Sequence, residues 1–393
     1  MWLEVASRVG SVGFIALALC TACGGGGGNT TAGGDSWDGC PALTPSTQPA
    51  GSLGAIVDGA VATEMASQKM PGMSVAIAKN GTILYAQGYG YSDLSTCAPM
   101  PANAQMQIGS LTKQFTAVAV LQLQQAGLLD IDHTVLSYLP NYAFDPRITL
   151  RMLLNQTSGI PDYLDLPAAK QYTGGVVPES LVLNAIVQAQ PLFPPDTAFS
   201  YSNSNYFILG SIIEAVTGQS YPDYLQANVF HAAGLSNTFY TRPSPSASPY
   251  KPGASGPVAG GIPDPSVYFA AGALWSNVQD LATWDAAQWG GIVIPQSLFK
   301  LMLTPASVPR FQQSVPSPYG MGWIQGGTVA GHPFVWHNGG TVSYTSFNGL
   351  LQDDGFSVTV LTNYTVQEDF PLLNLGKNLI QAICTGAATA GSC

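Results

Sequence analysis

Ser110 and Lys113 stand three residues apart in Ile108-Gly109-Ser110-Leu111-Thr112-Lys113, ahead of the apolar positions Phe115, Val118, Ala119, Leu121 and Leu128. On a helix that separation is a rise of about 4.5 Å and nearly a full turn, so the hydroxyl and the amine share a face. An ammonium pressed into an apolar wall near the positive end of a helix loses proton affinity, and a neutral amine beside a hydroxyl is a usable base. Ser-x-x-Lys also occurs at Ser248–Lys251 and Ser297–Lys300. Pro249 sits in a Pro/Ser-rich stretch where no helix would align the pair, and Ser297 lacks a preceding glycine and a Tyr-x-Asn between it and His337. Taken alone, Ser110 reads equally well as an N-cap hydroxyl with Lys113 as its solvated neighbour.

Two further stretches shift that balance. Tyr201-Ser202-Asn203 follows the Pro-rich entry Pro194-Pro195-Asp196 and precedes an apolar helix through Tyr206, Ile208, Leu209, Ile212 and Ile213. A phenol and a carboxamide two apart on an extended turn can face one cleft, where Tyr201 relays a proton to a leaving group and Asn203 bonds a substrate amide. The plainer reading makes Tyr201 a core aromatic and Asn203 a turn residue. His337-Asn338-Gly339-Gly340 follows the apolar run Phe334, Val335 and Trp336. Gly339 and Gly340 let a substrate approach the backbone closely, and a free N–H there, paired with that of Ser110, would form an oxyanion hole. His337 is given an electrostatic or substrate-binding role.

The elements that must position these groups come from both ends of the chain. From Leu53 to Lys69 the apolar positions Leu53, Ile56, Val57, Val61 and Met65 recur at helical spacing, and Pro71-Gly72 ends the helix. Met73–Ala78 and Thr82–Gln87 flank Asn80-Gly81, a pair suited to two positive φ angles, which predicts a hairpin. A second hairpin is expected from Ser346–Leu351 and Phe356–Leu361 around Asp353-Asp354-Gly355, then a helix from about Phe370 to Cys384. Between Gly109 and about Gly290 the pattern is mainly helix and loop. The predicted class is therefore α+β: an antiparallel sheet formed from the N- and C-terminal segments, flanked by helices, with an inserted mainly helical lobe. Arg242–Pro265, dense in Pro, Ser and Gly, reads as a surface loop bordering a cleft, and order resumes at the capping box Ser276-Asn277-Val278-Gln279.

Composition narrows the function. Of 393 residues 46 % are hydrophobic and 9 % charged, and 12 Lys plus Arg against 22 Asp plus Glu give a net charge of −10. That balance offers no basic stripe for nucleic acid. Val12–Leu19, preceded by Arg8, is apolar but too short to span a bilayer. Followed by Cys20-Thr21-Ala22-Cys23 and the glycine run Gly24–Gly28, it resembles a bacterial lipoprotein signal with Cys23 as the acylated residue. The expected organisation is a signal over 1–23, a flexible Gly/Ser/Thr/Pro linker over 24–52 and a hydrolase domain over 53–393. The expected location is the periplasm or cell envelope, through a lipid anchor alone, with ordinary secretion as the alternative. Cys20 and Cys23 also spell C-x-x-C, but a redox motif needs a strand before it and a helix after it, and here a glycine run follows. Cys40, Cys97, Cys384 and Cys393 then predict two disulfides with three possible connectivities.

In this order and at these spacings, Ser-x-x-Lys, Tyr-x-Asn and His-x-Gly resemble the superfamily of class C β-lactamases, DD-peptidases and β-lactamase-like esterases. Leu153-Leu154-Asn155-Gln156-Thr157-Ser158-Gly159, Ala271-Gly272-Ala273-Leu274-Trp275-Ser276 with Asp280-Leu281, and Tyr319-Gly320-Met321-Gly322-Trp323 match it in character. The resemblance implies that Ser110 is acylated, that Lys113 and Tyr201 handle protons, that Asn203 orients the substrate, and that the N–H groups of Ser110 and Gly340 hold the oxyanion. It implies a small peptide, ester or β-lactam as substrate, with D-Ala-D-Ala-type peptides or small esters favoured and β-lactamase as the alternative, no cofactor or metal, and a monomer. Gln156 departs from the usual His, at a position taken as structural. His337 stands where class C β-lactamases have Lys, which argues against efficient β-lactamase activity. No Gly-x-Ser-x-Gly and no His-Glu-x-x-His occurs, which disfavours a triad hydrolase and a zinc enzyme. A non-hydrolytic lipoprotein that binds peptidoglycan or penicillin remains the alternative from another class.

Overall fold

Asn80 and Gly81 both adopt positive φ, 50° and 77°, and the hairpin expected around them forms between β1 (Gly72–Lys79) and β2 (Thr82–Asp93). The computed structural model describes residues 40–41, 52–172, 175–311, 318–366 and 371–387; the signal segment, Cys23 and Cys393 lie outside them. Ahead of the hairpin runs α1 (Leu53–Gln68), whose first turn is capped by the Ser52 hydroxyl accepting from Ala55 N. Lys69, left-handed at φ 54°, ends it just before Pro71.

At the other end of the chain come β4 (Ile324–Val329), β5 (His332–Gly340), β6 (Thr345–Leu351) and β7 (Phe356–Thr362). With the short edge strand β3 (Ala98–Pro99) they complete a seven-stranded sheet in the order β3-β2-β1-β7-β6-β5-β4. The two chain ends meet at β1 and β7, antiparallel from Met73 opposite Thr362 to Lys79 opposite Phe356. Both central strands are buried on both faces, the polar Ser74, Ser357, Thr359 and Thr362 included. Val75 and Ile77 point to the side of Val57 and Val61 on α1 and of Leu375 and Leu379 on the C-terminal helix Pro371–Ala382. Ala76 and Leu361 point the other way, toward Leu281 and Trp284. Side-chain alternation along each strand thus assigns the sheet two distinct cores.

The inserted lobe is built on α2 (Thr112–Gln125), α3 (Asn203–Thr217), α4 (Pro265–Gly272) and α5 (Val278–Trp289). Every residue from Leu111 to Leu121 is buried, the polar Thr112, Lys113, Gln114 and Thr116 included. Leu128, expected on the same helix, falls beyond its end and is exposed. Arg242–Pro265 is more than a surface loop: Tyr250–Pro252 pairs with Pro257–Ala259, Tyr250 bridges Tyr364, and Asn363 Nδ2 donates to Ser248 O at 3.1 Å. Its composition hid a segment laced to the end of β7, because those bonds run through backbone groups and one distant side-chain amide, Asn363. Among the possible cysteine pairings the structure selects Cys40 with Cys97, 5.4 Å apart between Cα atoms, and Cys384 is also disulfide-bonded.

Asp285 on α5 is buried against the sheet, where its Oδ1 accepts from Asn348 Nδ2 at 2.7 Å. Burial pushes its carboxyl up to about 7. Between the unfolded value of 3.8 and about 7 the folded protein keeps a proton that the unfolded chain has released. The carboxyl's contribution therefore declines as pH rises through that window and is lost above it. Asp285→Asn keeps the acceptor and removes the titration, so its gain in Tm should be larger at about pH 8 than at about pH 5. Calorimetry giving equal gains at the two pH values would rule this out.

Candidate active site

Gly109, at φ 53°, opens a single tight turn, Gly109–Leu111, that runs directly into α2. The turn is pinned from two sides: Ser346 Oγ donates to Ile108 O at 2.7 Å, and Ile108 N donates to Leu274 O at 2.9 Å. Ser110 is left partly exposed while Lys113, on the same face, is fully buried. Lys113 Nζ reaches Ser110 Oγ at 3.0 Å, Asn203 Oδ1 at 2.7 Å and Ala271 O at 2.8 Å. The last two are acceptors only. A neutral amine spends its two hydrogens on them, and its lone pair is then left facing the Ser110 hydroxyl.

Burial draws the Lys113 amine down to about 7, against the opposing pull of the Asp162 carboxylate. Desolvation by the apolar surroundings expected from sequence is the main cause. The carbonyl of Ala271 is available because α4 is interrupted at Phe269, whose φ of 42° and ψ of −131° are not helical. Past that break Ala270 O accepts from Thr116 Oγ1 at 2.7 Å and Ala271 O from Lys113. A bulky residue at positive φ is strained. Phe269 is held there by the rings of Phe207 and Tyr221, 5.0 and 5.1 Å away.

Tyr201 places its ring 4.8 Å from Lys113 Nζ, and its hydroxyl interacts with Ser110. Burial holds the phenol well above its usual range, so it is a proton donor at neutral pH. Gln156, at φ 65°, shapes the Tyr201-Ser202-Asn203 turn: its carbonyl accepts from Ser200 N at 3.0 Å, and its Oε1 accepts from Ser202 N at 3.0 Å and Asn205 Nδ2 at 2.5 Å. That is the structural role expected of Gln156 from the sequence. Asn203 opens α3 with its Oδ1 on Lys113 and its Nδ2 on Asp162 Oδ2 at 2.7 Å, so one amide hydrogen remains for a substrate.

His337 is buried on β5, and its Nδ1 lies 2.5 Å from the Asn338 carbonyl. A carbonyl only accepts, so Nδ1 carries the proton and Nε2 accepts from the Tyr319 hydroxyl at 3.1 Å. Burial, with the nearby Lys113 charge, lowers the imidazole to about 3. His337 is therefore neutral and offers a substrate no charge. Gly339 and Gly340 lie beside the Ser110 turn: a Cβ on Gly339 would run into Ile108 O and Ser346 Oγ and lie 2.9 Å from Ser110 N, whereas one on Gly340 would meet nothing. The two backbones therefore run in close contact, Gly339 against Ser110 N and Gly340 N against Gly109. Asp162, Tyr319 and the Ala271 carbonyl belong to the site and escaped the sequence reading. Tyr319 and Ala271 sit in stretches noted for their resemblance, while Asp162-Tyr163 reads as an ordinary turn.

The family model described as Beta-lactamase matches residues 57–381. This chain belongs to the β-lactamase family. Its β-lactamase-family domain is 30 % identical over 262 residues to the penicillin-binding protein PbpX of Bacillus subtilis (strain 168), covering 65 % of this chain and 63 % of that protein. The chain thus spans under two thirds of that curated relative. Among solved structures, the octameric penicillin-binding protein homologue from Pyrococcus abyssi superposes with a TM-score of 0.74 at 26 % identity, over 85 % of this chain and 78 % of that one. The D-stereospecific amidohydrolase from Streptomyces sp. gives 0.71 at 26 %, over 84 % and 97 %.

Proposed function

We propose that this protein is a serine hydrolase that cleaves small esters or amides through an acyl-enzyme on Ser110. The observation that carries the reading is the Lys113 amine, buried between two acceptor-only partners with Ser110 as its third. As Ser110 Oγ attacks the carbonyl carbon, its proton passes to Lys113 Nζ and the carbonyl oxygen takes the negative charge, facing the N–H groups of Ser110 and Gly340. Tyr201 passes its proton to the leaving oxygen or nitrogen and is reprotonated by the Lys113 ammonium, and that bond breaks to leave Ser110 acylated with both groups restored. Water then attacks the acyl carbon by the same route in reverse, and Ser110 regains its proton.

D-amino-acid amides and small esters are the favoured substrates, ahead of D-Ala-D-Ala-type peptides and β-lactams. With His337 uncharged and the Asp162 carboxyl beside Lys113, a substrate carboxylate finds less compensation than a neutral leaving group does. Export and anchoring through an acylated Cys23 belong to the same proposal. They are supported by the apolar segment Val12–Leu19 ahead of that cysteine and by the Cys40–Cys97 bond, which suits an oxidising compartment.

The test is turnover of an activated p-nitrophenyl ester, with the acyl-enzyme trapped by acid and located by mass spectrometry. Acylation at Ser110 that decays with time, and none in Ser110→Ala, is the expected result. Undiminished turnover in Ser110→Ala refutes the reading, and a permanent label points to a non-hydrolytic binding protein. Because the base form of Lys113 is required, kcat/KM should rise with pH through about 7, the value to which burial lowers that amine. A profile flat from about pH 5 to 9 would exclude Lys113 as the base.

A further inference from the structure

We propose that Asp162 is a positioning residue for the Ser110–Lys113 pair, locking the Asn203 carboxamide with its oxygen toward Lys113 and supplying the buried countercharge for that amine. The proposal rests on the serine hydrolase reading for its catalytic meaning and on hydrogen-bond geometry for its substance. The two ends of a carboxamide are nearly the same size, so packing alone does not choose which one meets Lys113. A flipped Asn203 would press an NH2 group against the amine, donor against donor. Asp162 removes that choice, since its Oδ2 accepts from both Asn203 N, at 3.0 Å, and Asn203 Nδ2, at 2.7 Å. A carboxylate can only accept, so Nδ2 must point at Asp162 and Oδ1 at Lys113.

The simplest alternative makes Asp162 the cap of the short turn Tyr163–Asp165 and nothing more. Capping, however, uses only Oδ1, which accepts from Leu164 N at 2.9 Å. Oδ2 is free of that duty and is spent entirely on Asn203. Held through both oxygens, the carboxyl is fixed in place rather than dangling from a loop. The charged or titratable groups facing Lys113 are Asp162, Tyr201, Tyr206 and His337, with Asp165 acting on Asp162 from the next turn. Asp162 is the one carboxyl among those in direct opposition. Burial raises the Asp162 carboxyl while the Asn203 and Leu164 N–H groups pull it down, and in its ionised form it faces the ammonium that forms when the Ser110 proton arrives on Lys113, favouring attack as charge develops.

Asp162→Asn keeps the volume and one accepting oxygen while removing the charge. In 13C-lysine NMR of the full chain, with Lys113→Met to assign the resonance, the Lys113 titration midpoint should move to lower pH in Asp162→Asn. The acid limb of kcat/KM should move with it, and kcat should fall by about a hundredfold with KM little changed, because the group orients the base and does not touch substrate. Asp162→Ser retains a cap and loses the carboxyl, so it should show the same shift and a kcat at least as low. A midpoint that stays at the wild-type position in either folded variant overturns the proposal whatever the rate does. The titration needs no turnover, so it decides the role of Asp162 even if the wild-type protein proves not to be acylated on Ser110.

Discussion

Replacing Lys113 with methionine is expected to lower kcat/KM for an activated ester by on the order of 10⁴-fold and to abolish the rise in rate near neutral pH. Methionine is close in length and tolerates full burial, so the loss reports chemistry rather than a void. No neighbour can replace the amine. His337 has its Nε2 occupied by the Tyr319 hydroxyl and its other nitrogen protonated toward Asn338 O. Tyr201 is held protonated by burial, far above the range in which a phenolate would serve. Asn203 Oδ1 and Ala271 O accept from Lys113 and hold no transferable proton of their own. Because hydroxyl and amine act as one unit, Ser110→Ala combined with Lys113→Met should be scarcely slower than either change alone. Steady-state rates on the three variants settle the point: a Lys113→Met protein retaining a tenth of the wild-type rate would remove this amine from the mechanism.

Gly339→Ala should cost about 10²- to 10³-fold in kcat, the range for losing one oxyanion donor, while Gly340→Ala should change it little. Each substitution adds one methyl group, and neither glycine has a left-handed φ, so backbone strain does not separate them. Space does. A Cβ on Gly339 meets the backbone carbonyl of Ile108, which is itself anchored by Ser346, and can be relieved only by moving β5 away from the Ser110 turn. That movement widens the gap between the Ser110 and Gly340 N–H groups, and electrostatic stabilisation falls steeply with misplacement. On Gly340 the methyl group enters open space. Turnover normalised to folded protein gives the comparison, and equal losses in the two variants would mean that the close approach at Gly339 does not position the oxyanion donors.

The features legible in the sequence are those set by neighbours in the chain. Asn80-Gly81 specified its hairpin because two adjacent positive φ angles are cheap for that pair. Ser110 and Lys113 were expected on one face because helical spacing is a local relation, and the 3.0 Å contact follows from it. The joining of the two chain ends in one antiparallel sheet was readable too, since hairpin patterns lay at both ends with helix between them. Asp162 was not legible. Its partner Asn203 lies 41 residues away, and within its own stretch it looks like a turn cap, which it also is. Tyr250 escaped for a similar reason, as its link to Tyr364 is made by backbone groups that every residue possesses.

Residue type and spacing alone therefore determined which hydroxyl and amine belong together, which turns the chain must make, and the family in which those motifs recur. The tertiary structure decided their charge states: an amine at about 7, an imidazole at about 3, and a phenol that keeps its proton. It decided also which end of the Asn203 carboxamide meets Lys113. Desolvation and the direction of a hydrogen bond arise only when distant segments close around a group, and no stretch of chain carries that information by itself.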